Sequence, residues 1–371
     1  EAASALEVYS LGGLISRLFE ELAQAIEPQL SSLNPVLADV VVGVLGGLGA
    51  VLSFLPLVFI VSAVMAALED LGIGPRIAAA LHSFFTKFGL SGRAVYPMTI
   101  AFGCNVPAVL ASRAAVDDAE RVEIAIAVPF VTCQAGLIVL LYFVSQLFKN
   151  PVHQAATAFF IYAGGILLYL VAAKIVRRLV LGVREPPELV LEIPPIHRPS
   201  LRVVLWNSWD MTKHFLRKAG LVIFALSLAS WYLLNYGASG AVDNVSQSWG
   251  AELGRVFAPA LQHIYGLSSD SAWKVGFALL NGFIAKEGLV TSVAMLSGVT
   301  EEEAFAVLGL DTAQALAVLT FMMFYIPCLA TVAAMYQELR SVKLALIGVA
   351  LVVFLALAVS VAVYRILALF A

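Results

Sequence analysis

The chain has 371 residues, of which 61% are hydrophobic and 13% charged, with a net charge of −3 and a mean hydropathy of +0.93. A water-soluble domain of this length cannot hide so large an apolar fraction, so the composition excludes a soluble globular protein and points to the bilayer. Nothing in the charge calls for a nucleic-acid partner.

Residues 1–35 set Leu14, Leu18, Leu22 and Ile26 at helical spacing among Arg17, Glu20, Glu21 and Glu27, which predicts an amphipathic helix at the membrane surface or against a bundle. The chain begins at Glu1 with neither Met nor a signal-peptide pattern, so a missing or processed N-terminus is expected. Five charge-free runs have the ~20-residue length that spans hydrocarbon: Ile124 to Phe148, Asn150 to Ala173, Ala219 to Val242, Thr312 to Gln337 and Leu344 to Tyr364. Three more are broken or interrupted by charge: Val40 to Leu68, Ala94 to Ser112, and Val275 to Leu296. The expected fold is an all-α polytopic helical bundle of about eight membrane segments. Continuous apolar runs without period-2 alternation argue against a barrel.

The irregular runs hold the chemistry. In Val40 to Leu68 the glycine-rich GVLGGLGAVLSFLP predicts a break near Ser53 to Pro56. In FGCNVPAV, Gly103 and Pro107 interrupt a helix and free carbonyl oxygens, while Cys104 and Asn105 supply a sulfur and an amide oxygen. Freed backbone is tolerated at membrane depth only beside protein or a water-lined cavity. VPFVTC adds Thr132 and Cys133, and FYIPCLAT adds Pro327, Cys328 and Thr331. In GFIAKEGL, Lys286 and Glu287 sit mid-segment, where each charge costs about 3 kcal/mol and needs a cavity or a partner. Lys286 could pair with Glu287, with Asp70 or with a carbonyl freed at a helix break. Thiol, carboxylate and amide oxygen together suit a first-row divalent ion such as Fe²⁺, Mn²⁺ or Zn²⁺. The histidines, His82, His153, His197, His214 and His263, lie near loops or span ends and are expected at interfaces.

Basic residues orient the chain. Nine lie between Lys174 and Lys218, against one, Arg255, between Gly237 and Ala272, so the 174–218 loop is expected on the cytoplasmic side of a cell membrane. Its centre, REPPELVLEIPPIHRP, divides the chain into an amphipathic segment 1–35, a first gate half 36–183, a Pro-rich linker 184–212 and a second gate half 213–371. Glu69 and Cys104 are 35 residues apart and Glu287 and Cys328 are 41 apart. The matching segments run in opposite directions, as in an inverted repeat with substrate held at broken helices.

In these pieces, together with LED (Leu68 to Asp70) and EIPPIHRP (Glu192 to Pro199), the chain resembles the membrane portion of the ferrous iron transport protein B (FeoB) family across residues 35 to 371. The resemblance implies two gates of inverted topology, Fe²⁺ as the transported substrate, and an iron path at Cys104 and Cys328 with Cys133 and Glu69 as neighbours. It also implies a Ras-like GTPase domain, yet no GxxxxGK[ST] loop occurs in these residues. GTP and Mg²⁺ are therefore expected on another domain or polypeptide, with a small cytoplasmic accessory protein as a further partner. Small-residue runs such as GVLGGLGA suit packing within one chain or between copies in a homo-oligomer. Two rival functions follow from other readings: a nucleoside-type solute carrier, and an intramembrane enzyme using a cysteine or the Lys286 and Glu287 pair. The enzyme reading lacks a histidine within a span to activate a thiol.

Overall fold

The computed structural model describes residues 11–31, 35–53, 55–182, 198–238, 240–242, 245–284, 286, 288–300, 303–325 and 328–369. Glu287, Pro327, His197, the Pro-rich residues 183–197 and the side chains of Glu69 and His214 lie outside this description.

The described elements are helical apart from one two-residue hairpin. In chain order they are α1 Leu11–Ser31, α2 Pro35–Ser53, α3 Leu55–Asp70, α4 Ile73–Phe85, α5 Val95–Ala101, α6 Asn105–Leu110, α7 Asp118–Ala127, α8 Gln134–Leu147 and α9 Pro151–Ile175. Then follow α10 Leu201–Phe215, α11 Leu221–Asn235, β1 Tyr236–Gly237, β2 Gly240–Ala241, α12 Trp249–Tyr265, α13 Ser269–Ile284, α14 Gly288–Ser297, α15 Thr312–Phe324, α16 Leu329–Leu339 and α17 Val342–Ala368. Caps mark several starts. Asn150 accepts from the Val152 amide ahead of Pro151, Ser341 caps α17, and Asp311 and Gln314 form a reciprocal capping box at α15.

The chain divides into two compact units, Glu1–Leu71 with His197–Trp249, and Gly72–Ile196 with Gly250–Ala371. In the first, α1 packs along α2, α11 packs on α2, and α3 packs on α10. A π-helical turn, Leu216–Gly220, joins α10 to α11. The Ser200 amide at the head of α10 donates to Asp70 Oδ2 at 2.6 Å. Leu11, Leu14, Leu18 and Leu22 form an exposed apolar stripe along α1.

The second unit holds the densest core. Every residue from Ile124 to Val128, with Phe130 and Val131, is fully enclosed. Arg177, in the π-helical extension of α9, donates to both oxygens of the buried Glu123 at 2.9 and 3.1 Å. Tyr169 donates its hydroxyl to the Ala94 carbonyl at 3.0 Å, so two polar groups that would be costly alone are satisfied across elements.

Among the described residues, four helical runs are long and apolar enough to cross a membrane: Val41–Leu68, Asp118–Leu147, Pro151–Val180 and Val342–Ala368. A fifth arises if α15 and α16, which meet at 40°, form one broken span. The expected break near Ser53 to Pro56 falls on Phe54, outside the described residues; α2 ends at Ser53 and α3 begins at Leu55, which places Pro56 in the first turn of α3, where a missing N–H leaves no bond unmade. Two sequence expectations change. The run Ala219 to Val242 ends as helix at Asn235 and turns into the β1–β2 hairpin. The run Val275 to Leu296 is not a single crossing: Asn281 Nδ2 donates to Ser292 Oγ at 2.7 Å, whereas eleven residues of straight helix would separate them by about 16 Å. The chain therefore doubles back, with α13 and α14 packed on each other.

Candidate functional site

Four helix breaks lie in the second unit, and proline chemistry explains two of them. In a continuous helix the Gly103 carbonyl would accept from residue 107, and the Met323 carbonyl from residue 327. Both positions are proline, which has no N–H to give. Each freed carbonyl finds a donor on another segment. The Gln134 amide donates to the Gly103 carbonyl at 3.3 Å, and Lys286 Nζ donates to the Met323 carbonyl at 2.9 Å. Lys286 is only 3% exposed, and this contact satisfies part of its buried charge at the negative end of α15.

The three cysteines occupy equivalent places. Cys104, Cys133 and Cys328 are the N-cap residues of α6, α8 and α16, each the first residue after a break. All three are half-buried and none is in a disulfide. Cys328 Sγ lies 3.1 Å from Thr331 Oγ1, and α6 packs against α16, so the helices capped by Cys104 and Cys328 are neighbours. Pro107 does not break a helix at its own position. The break is at Phe102–Cys104, and Pro107 sits in the first turn of α6, where its missing donor is harmless.

Two further oxygens are notable. Asn105 is 3% exposed and Thr132 1% exposed, and Asn105 Oδ1 and Thr132 Oγ1 are buried without a hydrogen-bond partner. A buried orphan oxygen costs about 1–3 kcal/mol, so two beside adjacent breaks call for an explanation. Phe102 stacks on Tyr162 of α9 at 5.9 Å, and Tyr162 lies within electrostatic reach of Cys133.

Glycines let the breaks converge. A Cβ at Gly165 of α9 would stand 2.7 Å from the Phe130 carbonyl and 3.3 Å from the Phe324 ring. One at Gly136 of α8 would stand 2.8 Å from Thr132 Cγ2, with Met323 Sδ and Lys286 Cδ next nearest. The segments bearing Cys104, Cys133, Lys286 and Cys328 thus meet around the start of α8 and the middle of α9. Tyr325, donating its hydroxyl to the Leu279 carbonyl at 2.7 Å, ties α13 to the α15 break.

Among the described residues no three His, Cys, Asp or Glu side chains gather closely enough to hold a metal ion. His82 accepts from the Gly92 amide at 3.2 Å, and His153 and His263 are exposed. Gln134, Tyr162, Met323 and Tyr325 were not legible as site residues in the sequence. The position four residues before each proline was the available signal for Gly103 and Met323.

The family model described as "Gate: Nucleoside recognition" matches residues 51–147 and 216–342. That described as "Ferrous iron transport protein B C terminus" matches residues 158–210. The Fe(2+) transporter FeoB of Methanocaldococcus jannaschii is 34% identical over 338 residues, covering 88% of this chain and 49% of the relative. The protein of the same name in Staphylococcus aureus strain COL is 32% identical, covering 85% of this chain and 47% of the relative. An Fe(2+) transport protein A/Fe(2+) transporter FeoB fusion protein from Porphyromonas gingivalis is 28% identical, covering 88% and 44%. The chain spans about half the length of these curated relatives. No solved structure matches it.

Proposed function

This chain belongs to the gate family, in the branch of ferrous iron transport protein B, and on that footing we propose that it forms the path by which Fe²⁺ crosses a lipid bilayer. The observation that carries the reading is the convergence of four helix breaks in one unit, with a cysteine after three of them and unpartnered oxygens at two. Broken helices at membrane depth occur where backbone lines a substrate path. A transport site needs few, exchangeable ligands rather than a closed cage, and dispersed sulfur and oxygen donors meet that need for a borderline divalent ion.

In this reading Cys104, Cys328, Cys133, Glu69 and Asn105 contact the ion along its passage, and Gly103, Pro107, Thr132, Lys286, Glu287, Pro327 and Thr331 shape the path. The gate model matches in two separate blocks, 51–147 and 216–342, which supports two gate halves, 36–183 and 213–371, joined by a linker at 184–212. With the amphipathic segment 1–35, about eight membrane segments account for the apolar runs. The 174–218 loop then faces the cytoplasm of a cell membrane. The chain acts as a conduit and not as an enzyme, and GTP and Mg²⁺ belong to another domain or polypeptide. The fusion relative supports a cytoplasmic accessory partner, and a homo-oligomer is compatible with the small-residue stripes.

Purified chain in proteoliposomes should admit Fe²⁺ faster than empty liposomes, with no uridine flux. Uridine flux without metal flux would replace iron with a nucleoside as substrate.

A further inference from the structure

Arg113 and Glu338 form a two-pronged ion pair, with Nε donating to Oε2 at 2.8 Å and Nη2 to Oε1 at 2.5 Å. Glu338 is 4% exposed and Arg113 65%. A carboxylate this enclosed needs its partner, since removing one member of a buried pair leaves an uncompensated charge. Glu338 lies outside every sequence motif assigned to the path, whereas Arg113 is the last residue of FGCNVPAVLASR, the stretch that extends FGCNVPAV.

Its placement is specific. Arg113 stands in the 3₁₀ turn Ala111–Ala114 that continues α6, and Glu338 stands in the last turn of α16, just before Arg340 adopts left-handed backbone. Cys104 caps the first of these arms and Cys328 the second. From cap to lock the first arm rises about 15 Å, as six α-helical and three 3₁₀ residues. The second rises about 15 Å, as ten α-helical residues. Two packed arms of nearly equal length, each with a cysteine at its head and a charge at its foot, are fastened foot to foot.

We infer that the Arg113–Glu338 pair sets the register between α6 and α16 and so holds Cys104 and Cys328 at a common level. The inference rests on the reading of those cysteines as path residues, and it makes Arg113 and Glu338 positioning residues for transport. A slip of one helical residue would displace one sulfur by about 1.5 Å, far more than the ~0.2 Å tolerance of a metal–ligand distance. Arginine suits the task because its planar fork fixes orientation as well as distance.

The test uses the full chain carrying Cys133→Ser, so that Cys104 and Cys328 are its two thiols, reconstituted and treated with a short bifunctional maleimide. Cross-linking should fall about tenfold in Arg113→Glu and in Glu338→Arg, and return to within about twofold in the double reversal, as a direct pairwise coupling requires. Arg113→Lys, which keeps the charge but not the fork, should fall between. In the chain retaining Cys133, Fe²⁺ uptake should follow the same order. Equal cross-linking in the parent and both single reversals overturns the inference, as does a double reversal no better than the singles. If the single reversals do not fold, Arg113→Lys decides, and parent-like cross-linking there overturns it. Cross-linking that depends on the pair in a chain that takes up no Fe²⁺ supports the register and removes only the iron reading.

Discussion

Pro107 and Pro327 act through the carbonyl four positions upstream of each, and the two freed oxygens are satisfied in different ways. The Gly103 carbonyl takes a backbone amide from Gln134, while the Met323 carbonyl takes the ammonium of Lys286. Lys286→Met should therefore lower thermal stability in detergent by about 1–3 kcal/mol, the cost of an unmade buried hydrogen bond. Pro327→Ala returns the N–H that a continuous helix would give to the Met323 carbonyl, so Lys286→Met in that background should cost less, and an undiminished cost would refute this role. Thr132→Val removes an unpartnered buried oxygen at constant shape, so stability should hold or rise by up to about 1 kcal/mol while Fe²⁺ uptake falls. A drop in stability would show that the hydroxyl is structural. At this scale the sequence revealed the prolines, the cysteines and the buried lysine, because each is unusual where it stands. It hid their partners, since Gln134, Met323 and Glu338 are ordinary residues until the fold brings distant segments together.

Helical elements were legible from apolar runs, and the breaks at Cys104 and Cys328 from their neighbouring prolines; the break before Cys133 was not, because Pro129 reads as an early residue of its helix. The doubling back of α13 on α14 was not, because an apolar run has the same composition whether it crosses once or returns. What decides is Asn281, which reaches Ser292 only if the chain reverses. Close approach at α9 depends on one of two adjacent glycines. Gly165 faces the Phe130 carbonyl, whereas a Cβ at Gly164 would meet only the Phe324 ring at 3.8 Å. Gly165→Ala should destabilise by about 1–3 kcal/mol through overpacking. Gly164→Ala should be neutral or stabilising by up to about 1 kcal/mol, because helix propensity favours alanine. Thermal unfolding of the two variants compares them directly, and equal effects would contradict the convergence described at Gly165.

For the whole molecule, the central claim is that ions cross where the cysteine-capped helices meet. Fe²⁺ is the ion proposed, on the likeness to Fe(2+) transporter FeoB relatives, and the paired arms ending in Arg113 and Glu338 supply a reason for two cysteines rather than one. The most direct measurement is Fe²⁺ uptake by proteoliposomes containing the parent chain, Cys104→Ala or Cys328→Ala at matched protein content. The account predicts that each substitution slows uptake about tenfold or more, as loss of a ligand should. Uptake unchanged in both variants would contradict it.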